Sequence, residues 1–399
     1  MRLASLFALT LFAVAACKDG GTEEETPKKK NTKKAEPDVP CQTSADCADV
    51  AEKPYCSEVC SPLPAGWQIG VGDGTAASVG FTVVLDPGSP RASTDLAFNP
   101  SIPDQLWVVN ALDDSVFIVD RPGAPDAAFQ RLRDPAASHF MDRPPAIAFG
   151  SVVEPWGQTF GVCGDSDNGG NDFMGPALFS ADLSIFTLET GTGLGSHLDM
   201  LHSTSFCRGI AHLEGNVYFV FNSDKRSLDK YDFVVDHGPG QDDHSDGRIW
   251  RYAEGQVAGV DGVPSHLVYD ADTKLLYVAD TGNQRVAVLD TQSGSEGATF
   301  TGDEPAARRH VDGSVLSDFV PAGTLQRPSG IELADGVVFV SDEATSVLYA
   351  FDEDGALIRT LETGLPPGSL AGITLGITDQ KLYFVDKPKS VVYRIDPIL

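Results

Sequence analysis

The residues most able to do chemistry in this chain are its histidines, one arginine beside them, and a run of short acids and amides. His139, His197, His202 and His266 fall between stretches rich in apolar and β-branched residues, and Arg208 follows His202 by six positions. Asp165, Asp167 and Asp172 lie in an insertion reading Asp-Ser-Asp-Asn-Gly-Gly-Asn-Asp. Carboxylates and imidazoles gathered at one cleft suit a divalent cation, with oxygen donors favouring calcium and nitrogen donors zinc or copper. An arginine among them would hold an anionic group of a ligand. His197 and His202 are five apart, which gives neither a shared helical face nor one side of a strand, so only tertiary structure could bring both to one metal. The stretches 165–170 and 242–247 place acids ahead of glycine as a calcium loop does, but neither has the downstream bidentate glutamate of an EF-hand, and a solvated turn is the plainer reading. His212 and His310 have no partner visible in sequence and read as ordinary hydrogen-bonded imidazoles. GxSxG, phosphate-binding glycine loops and HExxH are absent, so serine-hydrolase, nucleotide and zincin chemistry lack support.

These side chains must be positioned by a repeated β unit. Short apolar strands centre on Leu96, Ile147, Ile210, Leu267, Ile331 and Ile373. In five of the six copies an aromatic-rich second strand then closes on Asn110, Asn222, Asp280, Asp342 or Asp386, and a third closes ten residues later on Asp120, Asp232, Asp290, Asp352 or Asp396. The second copy departs from this rule: Cys163-Gly164-Asp165 ends its middle strand and the acidic insertion follows. Alternating or continuous apolar runs of four to six residues, separated by turns, read as strands. Six such units over residues 66–399, at roughly 56 residues each, predict an all-β, six-bladed β-propeller. The sixth unit ends after its third strand, so residues 81–85 are expected to supply its fourth, beside Val391 to Ile395.

The segments VPSHLVYDADTKLLYVADTGNQRVAVLD (263–290) and RPSGIELADGVVFVSDEATSVLYAFDEDG (327–355) resemble NHL repeats, with Pro328-Ser329-Gly330-Ile331 and Tyr277-Val278-Ala279-Asp280 at the hallmark positions. The resemblance implies an NHL-like propeller whose ligand face carries the connections between blades and those between second and third strands. It therefore implies a ligand face with Arg208, His266, His202, His197, Asp280 and Asp342 as candidate binding residues, and His197, His202, His266, Asp165 and Asp167 as candidate metal ligands. His139 falls on the same face, whereas His237 and His244, between third and fourth strands, fall on the opposite one. The repeat's Asp and Asn residues have a structural reading as well, capping their own turns. Propellers of this family include scaffolds, sugar-lactone hydrolases and a zinc-dependent amidating lyase. The lyase carries Pro-His-Ser-Leu at its zinc site; this chain has Pro264-Ser265-His266-Leu267, with the imidazole displaced by one.

The beginning of the chain reads as an address. Residues 1–16 form a signal peptide, a basic start followed by an apolar stretch too short to span a bilayer. Val14-Ala15-Ala16-Cys17 resembles a bacterial lipobox, which would make Cys17 the lipidated residue and the protein an exported, membrane-anchored lipoprotein of the outer membrane or cell surface. Residues 17–40, with balanced charges and almost nothing apolar, read as a disordered tether. Cys41, Cys47, Cys56 and Cys60 predict a small Cys-rich module over 41–65, held by two disulfides of undetermined pairing, a zinc-thiolate site being the alternative. Cys163 and Cys207 are expected to form a third bond, across neighbouring blades. The net charge is −28, and from residue 41 onward 22 bases face 51 acids, which excludes nucleic acid as a partner. Two functions remain: a surface-anchored binding or scaffold propeller for a protein, glycan or small molecule, and a metal-dependent hydrolase or lyase.

Overall fold

A computed structural model describes residues 39–50, 52–88, 92–168, 170, 173–302 and 304–399. Cys17, the signal segment, most of the tether and Asp172 lie outside the described residues. The main body is a six-bladed β-propeller whose sheets all begin at the channel and run outward. Blade 1 consists of Ser93–Phe98, Gln105–Asn110, Ser115–Asp120 and Ala128–Leu132, paired in that order. Blade 2 comprises Ile147–Val153, Gly157–Val162, Ala177–Ser180 and a two-residue outer strand, Asp199–Met200. Blade 3 comprises Cys207–Glu214, Val217–Asn222, Ser227–Asp232 and Arg248–Tyr252. Blades 4 and 5 start at Leu267–Asp270 and Pro328–Ala334. Blade 6 has Leu370–Leu375, Leu382–Asp386 and Val391–Pro397, and its outer strand is the N-terminal Val79–Leu85. Phe81 stands opposite Ile395 and Leu85 opposite Val392, the closure expected from the unfinished sixth repeat. Inner strands touch their neighbours all round, blade 6 against blade 1 included.

The apolar residues that mark the repeat fill the seams between blades. Six clusters form the core, one at each seam. At the seam of blades 1 and 2, Trp107 packs on Phe149, Phe160 and Phe186, with ring centroids 4.9 to 5.6 Å apart. Blades held only by their seams have no other core, so the Asp and Asn signature serves to fix the turns. Asn222 accepts from the Lys225 backbone N–H at 3.0 Å and donates to Asp229 at 2.9 Å. Asp342 accepts from Thr345 N–H at 3.1 Å in its own turn, whereas Asp280 accepts from Ala258 N–H at 2.8 Å and from the Asn283 and Arg285 side chains at 2.9 and 2.8 Å, so both carboxylates are already occupied.

Three features depart from a plain ring. The 44-residue separation between Cys163 and Cys207 is closed by a disulfide inside the seam of blades 2 and 3. Before the propeller, Cys41–Cys56 and Cys47–Cys60 staple a two-stranded hairpin, which fixes the pairing the sequence left open. Finally, the long connection between the third and fourth strands of blade 4 contributes Ser295–Glu296 and Ala307–Asp312, the latter pairing in parallel with Arg248–Tyr252. Blade 3 thereby gains two extra strands and the connection carries Glu304 toward blade 2.

Candidate functional site

The sequence-nominated residues fall into two separate groups. One surrounds the mouth of the channel. Arg208, at the start of the inner strand of blade 3, is 2% exposed and its guanidinium spans Asp165 and Asp261, with 3.0 Å to the Asp261 carboxylate. A cleft of about 530 Å³ opens there between Arg143, Phe206, Arg208 and the acids Asp165, Asp224 and Asp261. A smaller one of about 230 Å³ shares Arg143 and Asp165 and adds Lys387. Lys387 Nζ donates to the Gly262 carbonyl at 2.7 Å; burial lowers its pKa and Glu343 opposes the shift. Burial raises the pKa of Asp165, against the pull of Arg208 and Arg143.

His266 lies on the adjoining inner strand, joined to Arg208 through the Ser265 N–H to Arg208 carbonyl bond of 2.8 Å. Its Nε2 is 2.9 Å from the Pro145 carbonyl and donates to it, while Nδ1 faces Asp95 at 3.4 Å. Desolvation drives the Asp95 pKa upward and His266 holds it back. Asp167 accepts from the Ser205 hydroxyl at 3.0 Å. Asp165 and Asp167 are thus turned to two different partners and do not form one calcium loop. Asp280 and Asp342 serve the turns described above.

The second group gathers His197 and His202 with three imidazoles from elsewhere. His202 is stacked on Phe173 at 4.2 Å and lies 6.0 Å from His139 and 5.8 Å from His244, centroid to centroid. His244 is 5.2 Å from His237, which is 4.9 Å from His197. His266 and His202 share no hydrogen-bond partner, ring contact or cleft among the described residues. The expected ligand set of His197, His202, His266, Asp165 and Asp167 is therefore divided: two members belong here, and His266 and Asp165 belong to the mouth.

His237 and His244 join because the blade 3 connection 233–247 folds back on blade 2. His237 N–H donates to the Leu198 carbonyl at 3.1 Å and Gly240 N–H to the His197 carbonyl at 2.8 Å. Gly240 has φ +67, and a Cβ there would stand 2.7 Å from the Gly195 carbonyl, so only glycine allows the approach. The Trp156 indole bonds Asp236 at 2.5 Å on the same side. His197 precedes the outer strand Asp199–Met200 and so belongs to the third-to-fourth-strand connection of blade 2, not to the connector between blades; His237 and His244 meet it from the corresponding connection of blade 3.

The cluster's polar atoms are unevenly satisfied. His197 Nδ1 is 2.8 Å from the Leu194 carbonyl and His237 Nδ1 is 2.8 Å from the Gly238 carbonyl, so each ring donates there and leaves Nε2 as a bare lone pair. Both Nε2 atoms, His202 Nε2 and Asp199 Oδ2 are buried with no hydrogen-bond partner among the described residues. An unpartnered buried acceptor costs roughly 1–3 kcal/mol. Burial, reinforced by His237, lowers the His197 pKa to about 3, and burial raises Asp199 to about 7 against the attraction of His244. Desolvation opposes charge on His244, yet Asp199 raises its pKa overall. Glu304 grips the backbone N–H of His202 at 2.9 Å and also its Nδ1. Asp199, Glu304, Arg143 and Lys387 escaped sequence reasoning; the excess length of 291–314 was a signal for Glu304, and the other three carried none.

No protein-family model matches the sequence, nor does any curated protein. Solved propeller-like chains are similar in backbone shape at low identity. One is a chain of a nidogen/laminin complex, 17% identical, covering 71% of this chain and 84% of that one with a TM-score of 0.46. Streptogramin B lyase is 10% identical over 80% of this chain and 98% of its own, with a TM-score of 0.48. An auxiliary nutrient binding protein from Bacteroides thetaiotaomicron is 9% identical over 77% and 69%, with a TM-score of 0.44.

Proposed function

We propose that this protein is an NHL-type propeller displayed at the outer membrane or cell surface through a lipid on Cys17, and that it binds a polar, anion-bearing ligand at the channel mouth. The observation that carries this reading is the concentration of Arg143, Arg208 and Lys387 around two adjoining clefts in a chain of net charge −28. Asp165, Asp224 and Asp261 balance these cations, so the clefts offer donors for a carboxylate without a net positive field. Asp165, Asp224 and Asp261 on the same walls offer acceptors to hydroxyl or amino groups, which suits an acidic saccharide better than a simple anion. The hydrolase or lyase reading needs an imidazole at the mouth free to take a metal, and His266 is already committed to Pro145 and Asp95.

Thermal shift of the purified chain against uronic-acid oligosaccharides, dicarboxylates and acidic peptides tests this reading. A saturable rise in Tm with the saccharides, reduced at least tenfold in apparent affinity by Arg143→Ala or Lys387→Ala, is the expected result. Absence of any saturable shift across the three classes, or equal binding by both variants, overturns it.

A further inference from the structure

The outer strand of blade 2 is the shortest in the ring, two residues long, and what lies against it is the docked connection of blade 3. That junction is where the imidazoles meet. His197 stands two residues before Asp199, ahead of the strand, and its ring lies 4.9 Å from that of His237. His237 and His244 face them from the ends of a loop that includes Gly238 and Gly240. Donor atoms of Asp199, His237 and His244 all lie within 4.8 Å of one another. His244 Nδ1 is 3.0 Å and His237 Nε2 3.9 Å from the same oxygen, Asp199 Oδ1. A four-coordinate metal with bonds of about 2.0–2.1 Å sets its donors about 3.3 Å apart, between those two values.

We propose that Asp199, His237 and His244 bind one divalent transition-metal ion, which staples the blade 3 connection to the outer strand of blade 2. The bare Nε2 of His237 and the unpartnered Asp199 Oδ2 have no protein hydrogen to accept, and a cation satisfies both at once. The Nδ1–H bond of His237 to a backbone carbonyl fixes the ring tautomer and orientation that a metal-bound imidazole requires. Two imidazoles and one carboxylate favour zinc or copper over calcium or magnesium, which take oxygen. Three protein donors leave the fourth position of a tetrahedral shell to water, and the ion's place between two blades gives it a stapling role. The phenyl ring of Phe140, stacked on His197 at 3.6 Å, and Phe173 on His202 close the cluster on its apolar side. The site is independent of the channel mouth, shares none of its residues, and stands or falls separately from the ligand reading above.

The test uses the full chain, stripped with a chelator and titrated with Zn²⁺ alone, then with Co²⁺ as a spectroscopic probe. One equivalent of Zn²⁺ retained on elemental analysis, a Tm that rises with Zn²⁺, and intense visible Co²⁺ bands of a tetrahedral site are expected. Asp199→Asn and His237→Gln should each weaken Zn²⁺ binding at least tenfold, while His310→Gln leaves it unchanged. No retained Zn²⁺, a weak six-coordinate Co²⁺ spectrum, or unaltered affinity in both cluster variants overturns the proposal. Limited proteolysis of the unmodified chain covers the case of variants that fail to fold: Zn²⁺ should slow cleavage within 233–247 at least fivefold, and equal rates with and without it also overturn the proposal.

Discussion

Arg208 is almost fully buried, and the acid it clamps sits on an insertion with little regular pairing, so its charge fastens Asp165 to the inner strand of blade 3. Removing it leaves Asp165, whose pKa burial already raises, without its nearest cation. Arg208→Met should therefore cost about 3 kcal/mol in urea unfolding, the range for breaking a buried pair from one side. Arg208→Lys should recover less than half, because one ammonium cannot reach both Asp165 and Asp261 in a fork. A Met variant as stable as the parent would show that the pair contributes nothing. Sequence reasoning found this residue because a cation at an inner-strand start, where the other repeats have Thr94, Pro145, Ser265, Ser329 and Ala371, is visible without coordinates. It put His197 on the connector between blades 2 and 3 because the two-residue outer strand Asp199–Met200 leaves no signal in sequence; with that strand in place, His197 falls in a third-to-fourth-strand connection, as His237 and His244 do.

Among the elements, the closing blade shows how a ring is fastened by charge as well as by pairing. Asp396 accepts from Thr82 of the N-terminal strand at 2.5 Å, from Lys381 at 2.5 Å and from Arg394 at 2.9 Å. Burial alone would raise its pKa, but Lys381, Thr82 and Arg394 together lower it below the ordinary value. A carboxyl whose folded pKa is depressed stabilises the fold above its unfolded pKa, near 3.8, and loses that contribution as pH falls through the folded value. Asp396→Asn should thus lower stability at pH 7 by about 1 kcal/mol, allowing for screening of this part-exposed group. The gap between parent and variant should close as the pH is taken below about 4; a gap that stays constant to pH 3 in guanidinium titrations would contradict the assignment. The ten-residue step made these strands legible, since the turn between second and third strands has one length in five blades and follows an Asp or Asn in each. Blade 2 was harder because its cap is replaced by Cys163 and an insertion, and the two strands that the blade 4 connection lends to blade 3 carry no repeat signal at all.

At the scale of the molecule, the six seams form a closed circuit, and a propeller lacking one outer strand presents an unpaired edge on Val391–Pro397. A chain deleted for residues 79–85 should therefore associate, seen as a higher mass in light scattering at concentrations where the parent is a single species; unchanged mass and Tm would mean that the closing strand is dispensable. The general architecture was available from composition and repetition because every blade repeats the same burial problem. The distribution of chemistry was not, because two long connections cross from their own blade to a neighbour and redraw which residues meet. The closure also has a consequence in time. The strand Val79–Leu85 emerges from the ribosome about 300 residues before its partner, and at roughly 5–20 residues per second it waits on the order of tens of seconds. During that interval Phe81 and Val83 stand on an edge with nothing native to pair with, so the vulnerable species in the life of this protein is the incomplete chain, and the arrival of Val391–Pro397 ends the exposure.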